Sequence, residues 1–378
     1  MDHTIQLADD DTPLPDRTYI DELLNSVYKG DKVDLKAVYK YVYDQLSQNI
    51  YKGFGSDFTR LGYNTPDWEK LSNLQYNAGV FAAFKNHSQL REMTRLLIAD
   101  DGTRRSWKDF KEKALMLDNT YNVRWLRAEY NHAHSVARSA REWVEAEKTA
   151  HLYPNLQYVA VNDSRTRTQH RRWHGIILPV NHSFWDTHFP PNDWGCRCKT
   201  RRTDKPVDTK GVNVNDPVKN KDGFNINFGK QGKVFADDHP YYQINGYEKV
   251  FKEANKQLNN YLKKEILKKY TDVILHRKEI GNVLINKKGI EKIINKNYNN
   301  SRVLHYVLNF EQILKEMALD GIKYPPNTIK KRMSKKNILH YLKGTFKGYD
   351  KNYIVWLERD NALEKAEYKL YLIKEENR

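Results

Sequence analysis

The sequence predicts a multidomain chain, mainly α in its front part and α+β in its back part. Three observations carry that expectation. A chain of 378 residues exceeds one ordinary core, so two or three domains are expected. Apolar residues recur at helical spacing up to about Lys148. Runs with strand character, such as "YIVWLER" and "EYKLYLI", gather towards the C-terminus. Apolar content of 39% is low, but aromatics at 12% supply large buried surfaces, which argues against wholesale disorder.

The elements follow in order. Ile20, Leu23, Leu24, Val27 and Tyr28 share one helical face, and Gly30 stands where a C′ residue belongs. "DLKAVYKYVYDQL" reads as a second helix, and "NIYKGFGSDFTRLGYNTPDW", which has neither period, reads as a loop. A helical pattern resumes through about Ile98, and Ser106 with Asp109 forms a capping box for a helix through Leu117. From about Tyr121 to Lys148, Trp125, Ala128, His132, Val136, Ala140, Trp143 and Val144 form one apolar stripe, in which histidine reads as a packing residue. "LQYVAVND" is strand-like, and the stretch from Arg201 to Pro240 lacks a period and reads as an irregular arm. A basic helix follows to Tyr270, then "NVLIN" as a strand, two helices between Gly289 and Leu319, and three strands. The expected boundaries are 1–60 for an N-terminal helical region, 61–205 for a middle domain, 206–246 for the arm and 247–378 for the basic α+β domain.

Net charge is +16, and from Tyr241 onward 29 Lys and Arg face 16 Asp and Glu, an excess of 13. A polyanionic partner such as RNA or DNA is the expectation for such a module. No basic n-region with an apolar core opens the chain, and no window has the length of a membrane span. The chain therefore reads as having no membrane segment. Two cysteines exclude a disulfide scaffold and fit a reducing compartment.

Both cysteines lie in one stretch. "NDSRTRTQH" from Asn162 to His170, a spacer ending near "FWD", and "PPNDWGCRC" from Pro190 to Cys198 together resemble the Mu-F-like phage head morphogenesis family. The preceding Trp- and Arg-rich helix extends the resemblance to about Tyr121, and "NFGKQGKVFADDHPYY" resembles the tail that follows it. The resemblance implies a minor head protein, bound to portal or capsid proteins in the virion interior after synthesis in the bacterial cytoplasm. His170, Cys196, Cys198 and Asp163 make a donor set suited to a structural zinc. Arg167 stands where relatives with more cysteines would have one, and His174, one helical turn after His170, is a substitute. A hydrogen-bonded knot, with Asp163 pairing Arg165 or Arg167, is the competing reading. A hydrolytic Asp163, His170 and Cys196 arrangement fails for want of an oxyanion hole or nucleophile elbow.

The last hundred residues, from "NVLINKKGIEKIINKNYNNSRVLHYVLNFEQILKEM" to "AEYKLYLIKEE", resemble the barnase/EndoU/colicin/RelE-like ribonuclease toxins appended to such proteins. That resemblance implies an endoribonuclease that needs no cofactor, and an immunity protein as partner. Cleaving RNA without a metal requires proton donors and acceptors near neutral pH and a cation for the phosphorane. His305 and Arg302, one turn apart on a helix whose buried stripe is Val303, Val307, Phe310, Leu314 and Met317, supply such a pair. His340, Tyr341 and Lys343 lie on a strand whose alternation puts His340 opposite Tyr341, Lys343 and Thr345. If Ile338 and Leu342 pack inward, His340 is a core histidine. His276 is a further candidate, and "IKKRMSKK" from Ile329 to Lys336 reads as a phosphate-tracking loop beside Tyr324 and Tyr341. The rival expectation is a basic module without catalysis that touches packaged DNA or the portal.

Overall fold

The computed structural model describes residues 19–58, 60–62, 65–214, 223–297, 301–323, 338–347, 351–360, 363 and 366–376, of which residues 301, 302, 323, 339, 360 and 375 are described by backbone alone. The chain divides into two compact units, one of residues 1–57 and 73–254, the other of 58–72 and 255–378.

The first unit is mostly helical. Its elements are α1 (Tyr19–Lys29), α2 (Lys36–Phe54), α3 (Pro66–Arg95, shared along the chain with the second unit), α4 (Trp107–Asn119) and α5 (Leu126–Lys148), the last two joined by a π-helical turn at Thr120–Trp125. After these come β1 (Asn155–Val159), α6 (Thr168–Arg172), β2 (Ile177–Pro179), α7 (Trp185–His188), β3 (Lys199–Thr203) and α8 (Phe228–Gln231). Ser106 caps α4 by accepting from the Asp109 amide, as its spacing predicts. Leu23, Leu24 and Val27 of α1 pack with Met93, Phe110 and Ala114. Gly53 lets α2 approach α5 closely, for a Cβ there would sit 2.1 Å from the His134 carbonyl oxygen.

The core of this unit also holds charge. Lys85 and Glu129 are both buried and meet at 2.7 Å, with the ammonium near the faces of Tyr121 and Tyr241. Burial pushes the Lys85 ammonium down and the Glu129 carboxyl up, against their mutual attraction. Beside them Gln89, Asp118 and Asn122 hydrogen-bond one another's side chains.

Within the stretch expected to be an irregular arm, residues 223–242 are packed into the unit instead. Phe224, Phe228, Val234, Phe235 and Tyr242 are buried, and Phe235 stacks on Phe81. The Asn77 side chain takes both the Val234 and Phe235 amides at 2.9 and 2.8 Å and donates to the Phe235 carbonyl. His132 bonds the Val234 carbonyl at 2.9 Å. Aromatic anchors and side-chain bonds to backbone hold this tail, so it needs no hydrophobic period.

The second unit is α+β. It runs through α9 (Tyr247–Tyr270, its first turns in the other unit), β4 (Val273–Arg277), β5 (Gly281–Ile285), α10 (Lys287–Lys296), α11 (Ser301–Leu308), α12 (Phe310–Glu316), β6 (Ala318–Lys323), β7 (Ile338–Lys347), β8 (Asn352–Asp360) and β9 (Tyr368–Glu375). The strands form one sheet in the order β4-β5-β9-β8-β7-β6, antiparallel throughout except for the β5–β9 pair. Helices cover one face: Tyr306 of α11 meets Phe346 and Tyr353, Met317 lies against Gly344, and Gly289 of α10 lies against the Leu370 carbonyl. Among the described residues no helix is long and apolar enough to cross a membrane.

Candidate functional site

In the first unit, β1 pairs with β2 on one side and β3 on the other, and the two long loops of this small sheet carry the motif residues. A core of Tyr158, Trp173, Phe184, Trp185 and Phe189 backs them. Two ion pairs then lock the loops together. Arg197 grips both oxygens of Asp163 at 2.6 Å each, and Arg167 reaches Asp193 at 2.7 Å while donating to the Trp194 carbonyl. Asp163 also accepts from the Arg165 amide and the Thr166 hydroxyl. Arg197 first, with these bonds, holds the Asp163 carboxyl far below the usual carboxylate range. Asn192 accepts from the Tyr158 hydroxyl and donates to the Thr187 carbonyl.

This scaffold brings His170, Cys196 and Cys198 together. Both sulfurs lie close to His170 Nδ1, at 3.7 Å from Cys196 and 3.8 Å from Cys198, and the three donor atoms fall within 4.8 Å of one another. The imidazole stacks on Trp173, and all three residues are buried. Cys198, hydrogen-bonded to Cys196 and flanked by His170 and Tyr158, favours the thiolate, while the same contact to Cys198 and burial push the Cys196 thiol up. Tetrahedral zinc separates a sulfur and a nitrogen ligand by about 3.6 Å, close to both sulfur–nitrogen distances, so the three residues could hold one ion. Arg165, Arg167 and Arg197 line a small pocket against them.

Two expectations for this site need correction. Asp163 is not a fourth ligand, because Arg197 occupies both of its oxygens, and its partner is Arg197 rather than Arg165 or Arg167. His174 is no substitute, since it stands outside the donor cluster, its Nδ1 accepting from the Ala160 amide at 3.2 Å.

The candidates of the second unit scatter. His305 is buried at 2% exposure against Phe58, and among the described residues neither ring nitrogen has a hydrogen-bond partner. Burial lowers its pKa to about 4. The expected polar face of α11 is therefore a core face, because residues 58–72 cover it: Phe58 lies over His305 and Trp68 stacks on Tyr306 at 4.9 Å. The Arg302 side chain and the run from 324 to 337, with Tyr324 and the expected phosphate-tracking loop, lie outside the described residues. Tyr341 is buried and donates to Glu358 at 3.0 Å, and Lys343 pairs with Asp320 and, more loosely, with Glu376. His276 is exposed and hydrogen-bonds Asn282.

His340 is only half-buried, and its Nε2 lies 3.2 Å from the Tyr368 hydroxyl. A register shift between Ile338 and His340 separates it from the regular packing row. Strand alternation sets it on the face opposite Tyr341 and Lys343, so the structure does not gather the five expected catalytic residues. Sequence reading missed Arg359 and Tyr368, His340's neighbours across the strands; only the register of three strands makes them neighbours.

Comparison with known proteins bears on the first unit. Residues 89–201 match the family described as Phage Mu protein F like protein. The putative capsid assembly protein F of Escherichia phage Mu is 46% identical over 72 residues, covering 19% of this chain and 16% of the phage protein. The Mu-like prophage FluMu F protein of Haemophilus influenzae is 39% identical over 83 residues, covering 22% of this chain and 19% of that protein. The chain thus spans less than a fifth of the length of either relative. No solved structure matches it. Over its middle region, which holds the His170, Cys196 and Cys198 cluster, the chain is similar to the Mu F-like head morphogenesis family.

Proposed function

We propose that the first unit acts in phage head assembly as a minor head protein that binds portal or capsid proteins inside the virion. The observation that carries this reading is the family match on residues 89–201, which include both ion-pair locks of the loops. A relative of this stretch is named a putative capsid assembly protein. Reciprocal Arg–carboxylate locks on a compact aromatic core suit a docking module, since they fix loop shape without committing a cleft to chemistry. Co-expression of the full chain with the portal and major capsid proteins of a Mu-like phage tests it. The chain is expected to co-sediment with assembled heads, and its absence from purified heads overturns the reading.

In the same reading His170, Cys196 and Cys198 hold a structural zinc, with the fourth position filled from outside the set. Full-length protein purified without chelator then carries stoichiometric zinc, and Cys198→Ser loses it. Metal-free wild type with an unchanged thermal melt argues for the hydrogen-bonded knot alone.

A second reading concerns the second unit: cleavage of RNA without a metal, as a toxin module that an immunity protein would have to neutralise. It is supported by the basic excess after Tyr241 and by a half-buried His340 in hydrogen-bond reach of a tyrosine hydroxyl. Total RNA incubated with the full chain in excess EDTA is expected to be cut. Intact RNA, together with salt-sensitive binding of duplex DNA, favours a non-catalytic module that contacts packaged DNA or the portal.

A further inference from the structure

The sheet of the second unit sets three chemically complementary side chains in one row. His340 on β7 is the register partner of Arg359 on β8. Glu358 pairs with Lys369, so the next position of the same ladder sets Arg359 opposite Tyr368 on β9. Side chains directly opposite on neighbouring strands are about 5 Å apart at Cβ, so all three share one face. Their contacts agree: His340 Nε2 lies 3.2 Å from the Tyr368 hydroxyl, and the two rings stand edge to face at 5.8 Å. Burial first, and then the Arg359 charge, lower the pKa of His340, and the same charge opposes the rise that burial gives Tyr368. Among the described residues the Arg359 guanidinium makes one hydrogen bond, from Nη1 to the Glu367 carbonyl. All three residues are half-buried, so the row is open to solvent along part of its length.

We propose that His340, Arg359 and Tyr368 form a site for the ribose-phosphate backbone of RNA, the catalytic site of the second unit. This rests on the RNA-cleavage reading above and replaces the scattered candidates with residues that the strands bring together.

The chemistry balances within the row. Neutral His340 takes the proton of a ribose 2′-hydroxyl as that oxygen attacks phosphorus. The bond from phosphorus to the 5′-oxygen breaks, and the Tyr368 hydroxyl gives its proton to the leaving oxygen. The products are a 2′,3′-cyclic phosphate end and a 5′-hydroxyl end. His340, now an imidazolium, returns its proton to the Tyr368 oxygenate across their hydrogen bond, which restores the starting state. Arg359 neutralises the dianionic phosphorane, and its planar fork suits two phosphate oxygens at once. Because the nucleophile is a 2′-hydroxyl, the substrate is RNA and not DNA.

The test uses the full chain at micromolar concentration in excess EDTA, with an RNA oligonucleotide, its all-deoxy counterpart, and the variants His340→Gln, Arg359→Gln and Tyr368→Phe. Wild type is expected to leave cyclic-phosphate ends on RNA alone, and each variant to be slowed 100-fold or more. Circular dichroism establishes that each variant folds. Tyr368→Phe keeps the ring and decides the matter should His340→Gln unfold. Cleavage unchanged in all three variants overturns the site while leaving the ribonuclease reading intact. No cleavage by folded wild type overturns that reading and the site with it, and equal cleavage of the deoxy strand overturns the 2′-hydroxyl mechanism.

Discussion

The two units stabilise their interiors differently. The first buries charges and amides and pairs several of them, Lys85 with Glu129, and Gln89 with Asp118 and Asn122, although the Asn86 amide has no partner among the described residues. The second relies on an apolar layer between helices and sheet, and under Phe58 its His305 is buried with neither ring nitrogen hydrogen-bonded among the described residues. A paired polar core fixes one arrangement and fails sharply when one partner goes, whereas an unpaired buried imidazole makes stability depend on pH. Each contrast has a measurable edge.

The largest effect is expected in the first unit. Lys85→Met leaves a buried carboxylate without its cation and is expected to destabilise by about 3–5 kcal/mol, read by urea denaturation. Adding Glu129→Leu should recover most of that loss. Equal stability of the single variant and wild type would show that the pair contributes nothing.

Acid should act next most strongly, and through His305 in the second unit. Its folded pKa of about 4 lies below the ordinary value of 6.5, so the unfolded chain binds the proton first. Stability is therefore intact above about pH 6.5 and is lost as pH falls towards 4, by roughly 3 kcal/mol in all. His305→Leu should remove this dependence at the amides of β7 to β9, measured by hydrogen exchange at graded urea at pH 7.5 and 5.0. In the first unit burial lowers His132 and His239 with the same sign, to about 4 and about 3, so its acid sensitivity should persist in that variant. RNA cleavage lost by a folded His305→Leu would restore His305 to the chemistry.

A matched pair of glycines compares how tightly each unit closes. Gly53→Ala would push a methyl into the His134 carbonyl of α5, and Gly289→Ala would push one into the Leu370 carbonyl of β9. Backbone cannot step aside as a side-chain tip can, so each is expected to cost about 1–3 kcal/mol in thermal melts. A neutral result in either would mean that the neighbouring elements can separate freely. The smallest effect belongs to Ser106→Ala, which removes the α4 cap and should cost about 1 kcal/mol.

How much of this was legible in the sequence depends on whether the signal was local. The Ser106 cap, Gly30 after α1 and the stripe of α5 use spacings of a turn or two, and they read directly. Trp125, assigned to that stripe, is instead partly exposed, because a π turn at Thr120–Trp125 shifts the phase before α5 begins. The gathering of His170, Cys196 and Cys198 was readable because the motif letters stand close together, but the partner of Asp163 was not, since Arg165 and Arg167 stand nearby while Arg197 lies 34 residues on. β4 and β6 were missed because each is a short edge strand, β4 opening on three consecutive apolar residues and β6 being largely exposed. His305 was misread because its cover comes from residues 58–72, far away in the chain. The row of His340, Arg359 and Tyr368 depends on the register of three strands, which no spacing along the chain encodes.

The central claim is that the Mu F-like unit carries this chain into phage heads. The most direct measurement is quantitative mass spectrometry of heads purified by density gradient, after co-expression of the full chain with the portal and major capsid proteins of a Mu-like phage. The account predicts the chain in the heads at a fixed ratio to portal, and a sharply lower ratio for Asp163→Asn combined with Arg167→Gln, which unlock both motif loops. Heads assembled without the chain, or an undiminished ratio in the doubly unlocked variant, would contradict it.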